Sequence, residues 1–132
     1  MATSKVIIVT GASRGIGLAV ANYLFALKCH KLVLVARSPQ PLQAFQNQDP
    51  ASIETVCADM AELGVGREVI DQALRRFGRL DGLVVNHGML DPVQKVSDSK
   101  VEDWRNAFEV NFFSAIDLVW QSTSDPESTC MF

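Results

Sequence analysis

Three glycines stand close together directly after the first apolar run of the chain, within residues 10–17 (TGASRGIG). Gly11 permits a sharp turn, Gly15 lets the backbone approach a bound group, and Gly17 lets the following helix lie close to a sheet. The first amides of that helix lack intrahelical partners and carry partial positive charge. Because the segment joins a strand-like run to an amphipathic helix, it predicts a pyrophosphate site more strongly than a merely structural turn.

Two arginines stand where the adenosine end of a dinucleotide would lie. Arg14 belongs to the glycine segment, and Arg37 and Ser38 follow the second apolar run. A site for an unphosphorylated ribose usually has an acid at that point, yet no acidic residue occurs between Gly11 and Asp49. Guanidinium groups bind phosphate through charge-assisted, often bidentate contacts. The pattern predicts NADP(H) as the cofactor, and two solvated surface arginines are the alternative.

Strand-like and helix-like segments alternate along the chain and would position these residues. Apolar, β-branched runs predict four strands, and amphipathic periodicity predicts a helix after each of them. Such alternation gives a parallel sheet with helices on both faces, so we expect an α/β, Rossmann-type sheet of strand order 3-2-1-4. The predicted strands cover residues 5–10, 32–36, 52–58 and 80–86, and the helices cover 16–28, a short segment from Pro39, 60–77, and a fourth that begins after residues 97–99.

The regular pattern ends near residue 120. Residues 1–120 are predicted to form one domain, whereas residues 121–132 (QSTSDPESTCMF) are polar, contain proline and lack any period. This composition predicts an irregular tail. Residues 82–86 would then form an open edge strand, and an apolar unpaired edge favours association.

Composition narrows the class of protein. A length of 132 residues with 48% hydrophobic and 20% charged residues fits one globular domain rather than a disordered chain. The net charge of −3 argues against nucleic acid as a partner. Apolar runs of strand length argue against a membrane span, and the early first strand leaves no room for a signal peptide, so we expect a cytoplasmic protein. The widely spaced Cys29, Cys57 and Cys130 predict neither disulfides nor a metal site.

The segment TGASRGIG resembles the cofactor motif of the classical short-chain dehydrogenases/reductases. This resemblance implies cofactor contacts for the motif residues Gly11, Ser13, Arg14, Ile16 and Gly17. The family commonly has an aspartate after its third strand that contacts the adenine amino group, and Asp59 matches that position. Asp59 would serve equally well as the N-cap of the third helix.

Residues 80–88 (LDGLVVNHG) resemble the fourth-strand motif of that family, usually Asn-Asn-Ala-Gly. Asn86 and Gly88 agree with the motif, which implies that Asn86 ties neighbouring backbone together and Gly88 admits the nicotinamide ribose. Val85 replaces the first asparagine, and His87 replaces the alanine. A histidine beside a cofactor suggests acid–base chemistry, but a polar side chain packed at a strand end, with no partner visible in the sequence, is the favoured interpretation.

Asn111 matches an asparagine that the family carries on its fourth helix. The resemblance implies that Asn111 is a catalytic residue, which holds a water in a proton relay with a serine, a tyrosine and a lysine. The family needs its lysine four residues after the tyrosine, but the only tyrosine here is Tyr23, and Leu27 stands four residues later. The resemblance covers residues 5–120, about the first half of a typical member. We therefore expect a C-terminally truncated fold that lacks activity alone.

Three functions fit these residues. The first is an NADP(H)-dependent carbonyl reductase, similar to the benzil and sepiapterin reductases, with a small carbonyl substrate. The second is a non-catalytic nucleotide-binding module that acts through a partner, and the third is a Rossmann protein of another family that binds a flavin or a sugar nucleotide. A homodimer would form through the open edge strand or the fourth helix, whose aromatic stripe from Trp104 to Phe112 is interpreted as core or subunit contact.

Overall fold

The computed structural model describes residues 3–131, which form one five-stranded parallel sheet in the order β3-β2-β1-β4-β5. The predicted α/β Rossmann-type fold and the order of its first four strands are confirmed, with a fifth strand added. The strands are β1 (Val6–Thr10), β2 (Lys31–Ala36), β3 (Ile53–Cys57), β4 (Leu80–Val84) and β5 (Ser128–Met131). The helices are α1 (Gly15–Ala26), α2 (Gln40–Gln48), α3 (Val65–Phe77), α4 (Val101–Phe108) and α5 (Ser114–Ser124).

Strands β1 and β2 are buried on both faces, which is why their sequences are almost continuously apolar. Successive side chains point to opposite sides of the sheet. Ile8 and Val33 pack with the side chains of α3 and α5, whereas Val9, Leu32 and Leu34 pack with those of α1 and α2. Each face of the sheet therefore has its own hydrophobic cluster, and the sheet separates the two.

The path of the chain opens a crevice between β1 and β4. From β1 the chain moves outward through β2 to β3, and it then crosses back to place β4 on the other side of β1. The connections after β1 and β4 consequently leave the sheet in opposite directions. In parallel sheets this divergence forms a ligand-binding crevice at the carboxyl ends of the strands.

The third helix begins five residues later than predicted. Residues 60–64 form turns, and Gly64 adopts a left-handed conformation (φ +82°) directly before Val65. The carboxylate of Asp59 accepts a hydrogen bond from the amide of Ala61 at 3.0 Å, within these turns. The prediction that Asp59 caps the third helix is therefore wrong, because the glycine interrupts the helical path.

The predicted fourth helix is divided by a π-helical turn, Glu109–Phe113, which connects α4 directly to α5. A short 3₁₀ turn, Val96–Asp98, precedes α4, and Lys100 is the N-cap residue. The fourth helix therefore begins after residues 97–99, as predicted, and none of Ser97, Asp98 and Ser99 is its N-cap. π-helical turns insert one extra residue per turn and occur frequently at functional sites.

The predicted irregular tail is wrong for most of its length. Helix α5 continues to Ser124, and β5 then pairs in parallel with β4, with Ser128 opposite Leu80. A four-residue strand is too short to show a period, so the sequence pattern did not reveal it. Among residues 3–131, β5 pairs with β4 at Leu80 and Gly82, so it covers the predicted open edge of residues 82–86 at its first residue. The edge-strand route to a dimer stays a prediction. Phe132 lies outside the described residues.

A buried carboxylate on β4 connects strands β1, β4 and β5. Asp81 is 8% exposed and accepts hydrogen bonds from the Val6 amide (2.8 Å) and the Thr129 hydroxyl (2.9 Å). It also pairs with the guanidinium of Arg79. Burial alone would raise the pKa of Asp81, but the hydrogen bonds from Arg79, Val6 and Thr129 outweigh it and hold the pKa below its usual value.

An apolar stripe on α4, the π-helical turn and α5 is exposed. Its large side chains, spaced four residues apart, are 48–62% exposed: Trp104, Phe108, Phe112, Ile116 and Trp120. These residues are therefore not core within this chain, and a subunit contact through this helix stays a prediction. Within residues 3–131, no helix has the length and apolar character needed to cross a bilayer.

Replacement of Asp81 tests the carboxylate that joins β1, β4 and β5. We expect Asp81→Asn to lower the free energy of unfolding by about 1–3 kcal/mol at pH 7, because buried hydrogen bonds to a charged group are lost. The folded-state pKa is lowered, so this contribution is present above the unfolded pKa and is lost as the pH falls through the folded value. Urea denaturation from pH 3 to pH 7 measures the difference between the two proteins.

The control is Asp71→Asn, which breaks the partly exposed i,i+4 pair with Arg67. Exposed helix pairs contribute only about 0.3–0.5 kcal/mol, so this variant should differ little from the wild type. An Asp81→Asn effect no larger than that of Asp71→Asn, or one that persists undiminished at pH 3, would contradict the role assigned to Asp81.

Candidate functional site

A cavity of about 370 Å³ lies at the carboxyl ends of β1 and β4, where the crevice was expected. The turn between β1 and α1 forms its floor, and the ends of β2 and β3 form one side. The end of β4 and the loop after it form the other side. The lining residues from these segments are Gly11, Ser13, Arg14, Gly15, Ile16, Val35, Ala36, Arg37, Ser38, Ala58, Asp59, Met60, Asn86, His87, Gly88, Met89 and Val110.

Most residues predicted to bind a cofactor come together in this cavity. Ten of them are among the lining residues: Gly11, Ser13, Arg14, Gly15, Ile16, Arg37, Ser38, Asp59, Asn86 and Gly88. Gly17 lies beneath the turn and is buried in packing, as its expected role requires. Asn111 is outside the lining and borders a second cavity, of about 280 Å³, between α4 and the loop after β4. Contact of these residues with a cofactor stays a prediction.

The glycines of the turn leave the space that a phosphate group would need. Gly15 has φ +57°, and a Cβ placed on it would meet nothing within 4 Å, so its backbone faces open space. A Cβ on Gly17 would lie 2.1 Å from the carbonyl oxygen of Gly11, and one on Gly11 would lie 3.0 Å from the Cα of His87. The turn therefore packs against the end of β4 while it presents bare backbone to the cavity, which fits a pyrophosphate.

Charge is unevenly distributed around the cavity. Arg14 immediately precedes α1, and Arg37 and Ser38 follow β2. Among residues 3–131 neither guanidinium is in an ion pair. The one acidic residue of the lining, Asp59, follows β3 rather than β2. The groups nearest the end of β2 can therefore bind an additional phosphate without first breaking an internal salt bridge.

The hydroxyl of Thr10 joins the end of β1 to the end of β4. Thr10 is fully buried, and its Oγ1 accepts hydrogen bonds from the amides of Asn86 (3.0 Å) and His87 (3.3 Å). The side-chain amide of Asn86 in turn donates to the Gly11 carbonyl at 3.2 Å. This bond matches the tying role that the resemblance implied for Asn86. Sequence reasoning missed Thr10, although a hydroxyl at the last strand position before a glycine turn was an available signal.

His87 has two side-chain partners, which fits the favoured interpretation of a polar side chain packed at a strand end; the sequence did not show these partners. Its Nδ1 lies 2.7 Å from the Thr10 hydroxyl, and its Nε2 lies 2.6 Å from the Ser114 hydroxyl. Burial lowers the pKa of the imidazole, and the nearby Val110 carbonyl offsets only part of that effect. The partners are 77 and 27 residues away in the chain, so no local pattern could have indicated them.

Asn111 is the central residue of the π-helical turn and fastens the loop after β4. Its Oδ1 accepts from the Met89 amide, and its Nδ2 donates to the Met89 carbonyl, each at 2.7 Å. A Cβ on Gly88 would lie 3.2 Å from the same Oδ1, so the glycine allows this approach. Both polar atoms of the side-chain amide thus bond to the Met89 backbone, and the implied proton relay stays a prediction.

No cluster of three or more histidine, cysteine, aspartate or glutamate side chains is placed to bind a metal ion within the described part of the chain. Cys29, Cys57 and Cys130 are free. Cys57 donates to the Arg37 carbonyl at 3.1 Å, beside the cavity rather than in its lining. The polar side chains of the cavity lining are those of two serines, two arginines, an asparagine, a histidine and one aspartate.

Comparison with known proteins agrees with this geometry. The short chain dehydrogenase family model matches residues 5–125. An uncharacterized oxidoreductase of Schizosaccharomyces pombe is 41% identical over 116 residues, which are 87% of this chain and 45% of the relative. The benzil reductase ((S)-benzoin forming) of Saccharomyces cerevisiae is 36% identical over 121 residues, or 87% of this chain and 46% of that protein.

Solved structures have the same fold. The crystal structure of a short chain dehydrogenase/reductase from Saccharomyces cerevisiae superposes with a TM-score of 0.85 and 38% sequence identity. The match covers 93% of this chain and 48% of that one. The chain therefore spans about half the length of the relatives it matches.

Substitution at Gly17 tests the close packing of the turn. In Gly17→Ala the new Cβ would collide with the backbone oxygen of Gly11, which cannot move without displacing the turn. We expect a loss of about 1–3 kcal/mol in the free energy of unfolding, as is typical of overpacking. Urea denaturation at neutral pH gives the value.

Gly66→Ala is the matched control, because Gly66 is also helical and closely approached. Its Cβ would meet the carboxylate of Asp117, the movable end of a side chain. We expect the control to remain within about 1 kcal/mol of the wild type, since alanine also improves helix propensity. Equal losses in the two variants would show that the contact between Gly17 and Gly11 is not tight.

Proposed function

The chain belongs to the short chain dehydrogenase family, and from this premise we propose that it forms the nucleotide-binding half of an NADP(H)-dependent oxidoreductase that acts on small carbonyl compounds. The single observation that carries the proposal is the cavity between β1 and β4, with its glycine turn and two arginines that form no ion pair within residues 3–131.

The pyrophosphate would lie at the beginning of α1. The open space beside Gly15 supports this position, because backbone amides there can approach an anion without interference from a side chain. Helix α1 has no acidic residue in its first turn, so nothing opposes the partial positive charge of its N-terminus.

The adenosine end would lie beside β2 and β3, and the nicotinamide end beside β4. Arg37 and Ser38 follow β2, where proteins of this type of fold bind the adenosine ribose of a dinucleotide. Arg14 lines the same cavity, so two guanidinium groups are available for a 2′-phosphate. An unphosphorylated ribose would instead need an acceptor at this point, which Arg37 cannot provide.

The reaction would be hydride transfer between the nicotinamide ring and a carbonyl or alcohol carbon. The bound cofactor would supply the hydride. Residues of this chain would hold and orient the cofactor: Gly11 and Gly15 at the phosphates, and Asn86 and Gly88 at the nicotinamide side. The relative named benzil reductase supports a small carbonyl as the substrate class. Asn111 would contribute by keeping the loop after β4 in place through Met89.

Nucleotide preference gives the first test of this proposal. Arg37→Gln removes a charge from the predicted 2′-phosphate site, and hydrogen bonds to charged groups are worth about 1.5–3 kcal/mol. We therefore expect NADPH affinity to fall by about 10–100-fold while NADH affinity changes little. Isothermal titration calorimetry with both nucleotides measures the preference.

Arg75→Gln serves as the control, since Arg75 is an exposed residue near the end of α3 whose guanidinium bonds only to Gln72 among residues 3–131. This variant should bind both nucleotides like the wild type. If the wild type itself binds NADH as tightly as NADPH, the assignment of NADP(H) is wrong.

Turnover gives the second test. The only tyrosine, Tyr23, lies on α1 outside the cavity, and the chain contains no Tyr-x-x-x-Lys for proton transfer. We expect no NADPH-dependent reduction of benzil by the 132-residue chain above the buffer rate. The yeast benzil reductase in the same absorbance assay is the positive control. A rate that rises in proportion to the concentration of this chain would refute the expectation.

A further inference from the structure

His87 occupies the position where the family motif usually has alanine, so the family pattern gives its side chain no role. Its imidazole lies between two hydroxyls, that of Thr10 at the end of β1 and that of Ser114 at the beginning of α5. Both hydroxyls belong to buried residues, with Ser114 7% exposed and Thr10 fully buried. The imidazole therefore bridges the sheet and a helix beside the proposed nicotinamide end of the cavity.

The hydrogen bonds of Ser114 determine which proton Nε2 carries. The Ser114 hydroxyl donates its only proton to the Val110 carbonyl, at 2.6 Å. Towards His87 it can then only accept, so Nε2 must be the donor across the 2.6 Å contact. Because the serine is buried and its proton is committed, the pair is a structural bridge rather than an activated nucleophile.

The hydrogen bonds of Thr10 determine the state of Nδ1. A hydroxyl has two lone pairs, and those of Thr10 accept from the amides of Asn86 and His87. Its proton is directed at Nδ1, 2.7 Å away, in preference to the Val84 carbonyl at 3.3 Å. A proton on Nδ1 would be a third donor to the same oxygen. Only the neutral imidazole with its proton on Nε2 satisfies every group.

We propose that His87, in this neutral Nε2–H form, is a positioning residue that fixes the nicotinamide side of the cavity by fastening the end of β4 to α5. The inference rests on the proposed function. Two side chains hold the same short segment in place: Ser114 bonds to His87, and Asn111 bonds to the backbone of Met89. Gly88 lies between them and cannot move independently, although it has no side chain of its own.

The two ends of the cavity should respond differently when the bridge between His87 and Ser114 is lost. His87 and its partners adjoin Asn86, Gly88 and Val110, whereas Arg37 and Asp59 line the opposite end. A ligand that extends to the nicotinamide end needs the His87 bridge for full affinity, but a ligand confined to the adenosine end does not. NADPH and adenosine 2′,5′-bisphosphate are such a pair, since the second contains only the phosphorylated adenosine portion.

Calorimetric titration of His87→Ala and Ser114→Ala with both ligands tests the proposal. Each variant should bind NADPH about tenfold more weakly, the effect of one lost hydrogen bond, and bind adenosine 2′,5′-bisphosphate within about twofold of the wild type. The double variant should be no weaker than either single variant, because both remove the same bridge. Equal weakening of the two ligands, unchanged NADPH affinity, or additive losses would each overturn the proposal. Ser114→Ala also provides a second reading if His87→Ala does not fold.

The imidazole itself gives a readout that needs no ligand. The chain contains two histidines, so ¹⁵N-resolved imidazole spectra at neutral pH will show His87 with His30 as the internal reference. We expect a protonated Nε2 and an unprotonated Nδ1 for His87. A cationic ring or a proton on Nδ1 would overturn the bridge. If the wild type binds neither ligand, the proposed function fails and so does the role of His87 in it, while the spectrum still decides whether the bridge exists.

Discussion

The end of β4 lies directly against the turn between β1 and α1, and the candidate site depends on that contact. Neither Gly11 nor Gly17 has room for a Cβ, because the Cα of His87 and the carbonyl of Gly11 occupy the space. The contact brings the beginning of α1 to the crevice between β1 and β4. It also places the Thr10 hydroxyl within reach of the first amides after β4. If the two segments were separated, the floor and one side of the cavity would no longer belong to one site.

Charge and hydrogen bonding then divide the cavity into two ends of different character. Beside β2 the site offers guanidinium groups without salt-bridge partners among the described residues, and such groups can form charge-assisted hydrogen bonds to a phosphate. Beside β4 it offers backbone held by buried or engaged polar groups, with Thr10, His87 and Asn111 each bonded to a neighbouring segment. In the proposed function, the first end would attract the phosphate of the ligand, and the second would hold the ligand's position.

The order of the first four strands and most residues of the candidate site could be predicted from the sequence, because both depend on patterns between neighbouring residues. Continuous β-branched runs such as residues 5–10 indicate buried parallel strands, and a glycine turn between strand and helix has a defined place in such a sheet. The missed features depend on distant or weak signals. Strand β5 is four residues long and has no period, and the partners of His87 become neighbours only after the sheet and α5 have formed. The late start of α3 depends on Gly64, whose left-handed conformation a single sequence does not reveal.

In the proposed function, the amides at the beginning of α1 bind the phosphates of a nicotinamide nucleotide. Titration of the ¹⁵N-labelled chain with NADPH, followed by two-dimensional ¹H–¹⁵N spectra, tests it most directly. We expect the largest shifts at the amides of residues 13–17, with further shifts at Arg37 and Ser38. Shifts confined to another surface, or a spectrum unchanged at millimolar NADPH, would contradict it.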